Sequence, residues 1–401
     1  MGTLKNIACH VFHGAMKIGN YCMNYRIPER ITGAGCVTSV PEKLKAKGFR
    51  HVFLVTDQGL MRLGLVDSLM KAMDQAGLTY TLFSNIQPNP TDENVEEGYR
   101  LFRDSGCDMI LAFGGGSPMD CAKGIAAKHA HPGKRVDQLQ GVLKVHKKVV
   151  PLWAVPTTAG TGSETTVAAV ITIASTKHKA SINDPVLMPL VAVLDPELTT
   201  GLPPFITAIT GMDALCHAVE SYTNATYCTK LENDFSRKAV RLIYDNLYAA
   251  FQDGKNMKAR QAMQEAAFYA GRSFTRGCVG YVHAVGHTLG GLYGVPHGLA
   301  MSVILPHVLR QYGPAVQKKL AELADVCGMQ GTESEKAEAF IRWIEEMKEK
   351  MGIPRGIDKI REEDIPQIIR WADRETNPLY PVPVIWDEKD LRKLIATIRE
   401  A

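Results

Sequence analysis

Met109-Ile110-Leu111-Ala112-Phe113-Gly114-Gly115-Gly116-Ser117-Pro118-Met119-Asp120 is the stretch that decides the fold. Five apolar residues in a row read as a strand buried on both faces. Three glycines then make a tight turn, and Pro118 suits the first turn of a helix expected over 118–128. Ser117 is the expected cap of that helix. A buried strand running through glycines into a helix begins a βαβ unit, the building block of a parallel sheet covered on both faces. The helix N-terminus presents N–H groups and a positive dipole end to a phosphate. The run is not G-x-G-x-x-G, so alone it marks a general anion-binding turn.

The same grammar extends outward. Strands are expected at 50–55, 80–83 and 149–155, and helices at 65–76 and 92–105, the latter with Thr91 or Asp92 near its N-cap. Beyond Pro203-Pro204 helical periodicity takes over, at 208–221, 231–251, 259–274, 282–292, 315–327 and 333–351. The expected fold is an α/β, Rossmann-like N-terminal domain with a parallel sheet over 25–203, followed by an all-α domain over 204–401. Residues 1–24 form an amphipathic helical extension. Its stripe of Leu4, Ile7, Ala8, Val11, Phe12, Ala15 and Met16 is expected to pack on its own chain or on a dimer partner.

Bulk properties exclude several classes. The chain has 401 residues, 45% hydrophobic and 22% charged, with a formal net charge of +4. That is ordinary globular composition, with basic clusters too short for nucleic acid. No apolar run is long enough to span a bilayer, and no signal-peptide pattern opens the chain. The nine cysteines include no Cys-x-x-Cys pair, so reduced thiols and a cytoplasmic location are expected.

The chemistry concentrates in the helical half. Asp213 and His217 are four apart, and so are His283 and His287, which places each pair on one helix face. His297 follows in Val295-Pro296-His297-Gly298. Histidines in so apolar a segment need polar partners if buried, and a divalent metal supplies one. A structural pairing of the same residues is the alternative at this point. In the first half, a second polar loop, Thr157-Thr158-Ala159-Gly160-Thr161, follows a strand and has hydroxyls for a ribose, phosphate or amide. Asp57 ends a third strand. It either caps a turn or accepts from a ribose diol, and the second role favours NAD over NADP.

Together these residues resemble the iron-containing (group III) alcohol dehydrogenase family, which has the broader dehydroquinate synthase-like architecture. The resemblance rests on Val55-Thr56-Asp57, Pro88-Asn89-Pro90, Gly114 to Pro118 with Asp120, Pro156 to Thr161, Gly211 to His217, and Gly280 to Gly298. It implies one divalent metal, Fe2+ or Zn2+, held by Asp213, His217, His283 and His297. His287 then lies near the nicotinamide as a proton relay. For NAD(H) it implies Asp57, Asn89, Gly114, Gly115, Gly116, Ser117, Asp120, Thr157, Thr158, Thr161, Val170 and Lys179. Phe274 matches an aromatic of the substrate cavity. Relatives often carry a small neutral residue or asparagine near 276, where this chain has Arg276. An Arg276 facing the substrate implies an anionic semialdehyde or sulfonated aldehyde; otherwise it lies outside the site.

The expected reaction is reversible hydride transfer between NAD(H) and a small alcohol or aldehyde, in a homodimer or larger homo-oligomer. The rivals are a metal-dependent lyase or cyclase of dehydroquinate-synthase type and a metal-stabilised binding protein.

Overall fold

The computed structural model describes residues 2–175, 178–224 and 226–400. They form two compact units: Tyr25–Gly201, and Leu202–Ala401 joined by the N-terminal segment up to Asn24.

The chain opens with α1 (Gly2–Cys22), which belongs to the helical unit. The α/β unit then runs β1 (Glu29–Thr32), α2 (Val40–Ala46), β2 (His51–Val55), α3 (Gln58–Arg62), α4 (Asp67–Ala76), β3 (Thr79–Phe83), α5 (Asp92–Ser105), β4 (Met109–Gly114) and α6 (Gly116–Ala130). Five strands complete it: β5 (Gly141–Val142), β6 (Leu152–Pro156), β7 (Ala168–Ile173), β8 (His178–Asn183) and β9 (Val191–Leu194). The main sheet has the order β1-β9-β6-β4-β2-β3, with every pair parallel.

Alternation along these strands builds two cores. Phe53, Ile110, Ala112 and Ala154 face one layer, while Leu54, Met109, Leu111, Phe113 and Trp153 face the other. β4 is buried along its whole length, as its unbroken apolar run requires. Thr91 caps α5 through a reciprocal box with Asn94. Two local expectations need correction. The N-cap of α6 is Gly115 rather than Ser117, so the helix starts at Gly116 and puts Ser117 in its first turn. The unit also has a second, mixed sheet in the order β5-β8-β7, with β7 and β8 antiparallel.

The helical unit continues with α7 (Pro204–Thr223), α8 (Lys230–Gln252), α9 (Met257–Gly277), α10 (Tyr281–Tyr293), α11 (His297–Tyr312), α12 (Gln317–Val326), α13 (Glu333–Lys350), α14 (Ile365–Thr376) and α15 (Glu388–Glu400). Residues 207–223 of α7 are buried except Thr210, so it is a central helix of this unit. No helix among the described residues is long and apolar enough to cross a membrane.

On this chain α1 leaves part of its apolar stripe uncovered, while Phe12 and Met16 of the stripe are half-buried. Leu4, Ile7 and Val11 are 77%, 56% and 69% exposed, whereas Cys9, His13 and Asn20 are buried. Polar partners set the docked face: Lys5 pairs with Asp373, Cys9 contacts the Asn377 amide oxygen, and the His13 ring meets Tyr227 edge-on.

Candidate functional site

Three helices bring the acidic and imidazole groups together. Asp213 and His217 occupy one face of α7, His283 lies in the first turn of α10, and His297 opens α11. Gly294, in the left-handed region at φ 65°, ends α10. The short turn through Pro296 brings His297 back beside His283, with ring centroids 5.5 Å apart. Close packing fixes the approach, because a Cβ on Gly298 would lie 2.5 Å from the Ile209 carbonyl oxygen of α7.

His217 Nε2 and His283 Nε2 each lie 3.9 Å from Asp213 Oδ1, and His297 Nε2 lies 3.4 Å from it. One ligand atom from each of the four residues falls within 4.8 Å of all the others. The two 3.9 Å separations are too long for hydrogen bonds. Donors held about 2.0–2.2 Å from one tetrahedral cation sit about 3.4 Å apart. Asp213 Oδ1 and His283 Nε2 are buried without a hydrogen-bond partner, a costly arrangement unless a cation completes it. The chemistry of this donor set therefore fits one divalent ion.

Electrostatics support the same set. Burial pushes His217 down to about 3 and His283 well below its ordinary value, so both imidazoles are neutral with a lone pair to offer. Burial raises the Asp213 carboxyl, while a proton on His217, His297 or His283 lowers it well below the usual range, a role a bound cation would fill with the imidazoles neutral. Glu220, one turn beyond His217, accepts from His283 Nδ1 at 2.5 Å and from the Val282 N–H at 2.9 Å. That fixes the His283 proton on Nδ1 and turns Nε2 to the cluster. Burial raises Glu220 to about 7 against those donors. Phe274 stacks on His217, with centroids 4.2 Å apart. His287 stands apart from the ligand group: its Nδ1 lies 2.7 Å from Glu375 Oε1, and its ring stacks on His297.

In the α/β unit the loops after β4 and β6 meet. Thr157 N–H donates to the Gly114 carbonyl, and a Cβ on Gly115 or Gly116 would lie 3.4 Å from Thr158 or 3.1 Å from Thr161. The glycines thus keep a narrow polar cradle open at the start of α6. Asp120 is half-buried on α6, accepting from Ser163 Oγ at 2.9 Å and from the Val170 backbone, with its pKa raised chiefly by desolvation. Asn89, at φ 59°, donates its N–H to Ser117 Oγ and accepts from Lys179 Nζ at 2.8 Å. Asp57 N-caps α3 through Leu60 N–H.

Arg276 is held within the helical unit. Its Nε lies 3.2 Å from Glu232 Oε1 and its Nη1 donates to the Asn20 carbonyl, so α8 and α1 take up its charge. Sequence reading missed Glu220, Glu375 and Lys123. Glu220 lies seven residues after Asp213 on the same helical stripe, a usable signal. Lys123 is fully buried and donates to Ser163, Thr166 and Ala168. Its signal was a lysine set between the apolar residues Cys121, Ala122 and Ile125 of α6. Glu375 reaches His287 across 88 residues, with no local trace.

The family described as iron-containing alcohol dehydrogenase matches residues 28–196, and the C-terminal part of the Fe-containing alcohol dehydrogenase family matches 207–398. The chain belongs to the iron-containing alcohol dehydrogenase family. This alcohol dehydrogenase is 38% identical over 355 residues to alcohol dehydrogenase 4 of Schizosaccharomyces pombe, covering 87% of the chain and 83% of that protein. It is 39% identical over 343 residues to an NAD-dependent methanol dehydrogenase of Bacillus methanolicus, covering 84% and 90%. Among solved structures, a 1,3-propanediol oxidoreductase superposes with a TM-score of 0.89 at 36% identity, over 93% of this chain and 98% of that one. As an iron-containing alcohol dehydrogenase, the chain is an oxidoreductase working with NAD(H) and one divalent metal.

Proposed function

We propose that the enzyme interconverts a small uncharged alcohol and its aldehyde, with the metal held by Asp213, His217, His283 and His297. The convergence of these four groups, with Asp213 Oδ1 and His283 Nε2 lacking any other partner, carries the reading. When bound, the cation supplies Lewis acidity toward a substrate oxygen, and the nicotinamide supplies a hydride donor or acceptor. Fe2+ and Zn2+ both suit three imidazoles and a carboxylate.

The chain's own residues do the rest. Asp213 offsets the cation's charge, and Glu220 keeps the His283 lone pair available. Phe274 covers one face of His217 with an apolar ring. His287 takes the hydroxyl proton during oxidation and returns it during reduction. Gly114, Gly115, Gly116 and Ser117 admit a pyrophosphate to the N-terminus of α6. Asn89, Asp120, Thr157, Thr158, Thr161, Val170 and Lys179 surround the remainder of the dinucleotide. Asp57 accepts from the adenosine ribose and repels a 2′-phosphate, which favours NAD.

The sequestered Arg276 supports a neutral substrate, as does the scarcity of cations for a lyase of phosphorylated substrates: Arg272 is buried against the Phe235 ring. Nine free cysteines agree with a reducing, cytoplasmic setting, and family resemblance supports a homodimer or larger assembly. NADH oxidation with matched neutral and carboxylated or sulfonated aldehydes tests the reading. Neutral aldehydes should turn over faster, and Arg276→Ala should not discriminate between the groups. A preference for anionic aldehydes that Arg276→Ala abolishes would overturn the substrate class.

A further inference from the structure

We propose that Glu375 is a positioning residue that sets the tautomer and orientation of His287. The inference rests on the reading that His287 handles the substrate's hydroxyl proton. Glu375 lies at the end of α14 and His287 in the middle of α10, so only tertiary packing brings them together. The His287 Nδ1 to Glu375 Oε1 distance is 2.7 Å. An ionised carboxylate can only accept, so the ring carries its hydrogen on Nδ1 and leaves Nε2 with a lone pair. The same Oε1 accepts from the Tyr380 hydroxyl at 3.1 Å, a second bond that fixes the carboxylate rotamer.

The backbone bearing Glu375 is itself pinned. Asn377 Nδ2 donates to Asp373 and to the Tyr281 hydroxyl, and Tyr281 is the first residue of the helix that carries His287. Lys5 of α1 pairs with Asp373 from the other side. The carboxylate, the imidazole and both their helices thus form one hydrogen-bonded block. In alcohol oxidation His287 Nε2 would take the proton released from the O–H bond, while a bound nicotinamide would supply the acceptor for the hydride leaving carbon. The Glu375 carboxylate then faces the imidazolium and stabilises it, and the proton leaves to solvent. In reduction His287 Nε2–H returns the proton to the oxygen.

The test is a double-mutant cycle on the zinc-loaded enzyme with Glu375→Ala, His287→Asn and the pair. Metal content and melting temperature serve as controls, with ring-nitrogen NMR of 15N-histidine-labelled protein as a second readout. His287→Asn should lower kcat by about a hundredfold, in the range of a lost proton-transfer group. Glu375→Ala should lower it by about tenfold with little change in KM, as for removal of an orienting partner. In the His287→Asn background Glu375→Ala should cost nothing more. The His287 ring proton should sit on Nδ1 in the wild type and move in part to Nε2 in Glu375→Ala. Glu375→Gln, whose amide oxygen still accepts, should keep the Nδ1 tautomer and recover part of the rate. Equal losses from Glu375→Ala in both backgrounds would overturn the proposal, as would an unchanged tautomer. So would a full rate in Glu375→Ala beside an impaired His287→Asn, which leaves the His287 reading standing. A full rate in His287→Asn removes that reading, and the proposal with it.

Discussion

Glu220→Gln isolates the support beneath the metal ligands. In the native site one carboxylate accepts from His283 Nδ1 at 2.5 Å, from Val282 N–H at 2.9 Å, and from the Gly280 backbone and the Cys216 thiol. Glutamine keeps the shape but turns one acceptor into a donor. Either Val282 loses its partner or the His283 hydrogen moves to Nε2, the atom facing Asp213. An unsatisfied buried donor costs about 1–3 kcal/mol. Loss of a ligand's orienting partner weakens a metal by about 10–100-fold, roughly 1.4–2.8 kcal/mol. The two routes agree, so zinc affinity measured against a competing chelator should fall by about 10–100-fold. A thermal melt of the metal-free protein separates this from general unfolding. Affinity within twofold of wild type, with the fold intact, would refute the role given to Glu220.

Glu164 is buried and its carboxyl is raised to about 7, chiefly by desolvation. Its folded pKa lies above the unfolded value of 4.5, so the cost is absent below 4.5 and grows as pH rises through 7, to about 3 kcal/mol. Glu164→Gln should therefore raise the melting temperature more at pH 8 than at pH 5; an equal shift at both would contradict this. Gly298→Ala would put a Cβ 2.5 Å from a backbone oxygen of α7, so it should cost about 1–3 kcal/mol in urea unfolding and weaken the metal by displacing His297. Full stability there would show that α11 shifts freely. Val11→Asp, on the 69% exposed side of α1, should change stability by no more than about 0.5 kcal/mol. A larger loss would show that this stripe is covered.

Much of the α/β unit was legible because local rules and tertiary structure agree there. The apolar run of β4, the glycines after it and the Thr91 cap each point to one structure. Elsewhere single rules misled. α11 is apolar nearly all round and contains Pro306, so no stripe marks it. α14 was readable, since Ile365, Ile368, Ile369 and Ala372 recur at helical spacing, yet it was not picked out. The apolar stripe of α1 does not by itself mark the side facing its own chain, where Lys5, Cys9 and His13 find their partners. In the candidate site, i,i+4 spacing exposed Asp213 with His217, because both lie on one helix. Glu375 beneath His287 and Glu232 beneath Arg276 depend on contacts between distant helices, which sequence spacing does not encode.

Metal content and NADH-linked aldehyde reduction, measured together on the wild type, Asp213→Asn and His217→Ala, test the central claim most directly. The wild type should carry one divalent ion per chain, lose its rate on chelation and recover it with Fe2+ or Zn2+, while both variants retain little metal and little rate. A metal-free chain that still reduces aldehydes at full rate, or variants that bind the ion as tightly as the wild type, would contradict it.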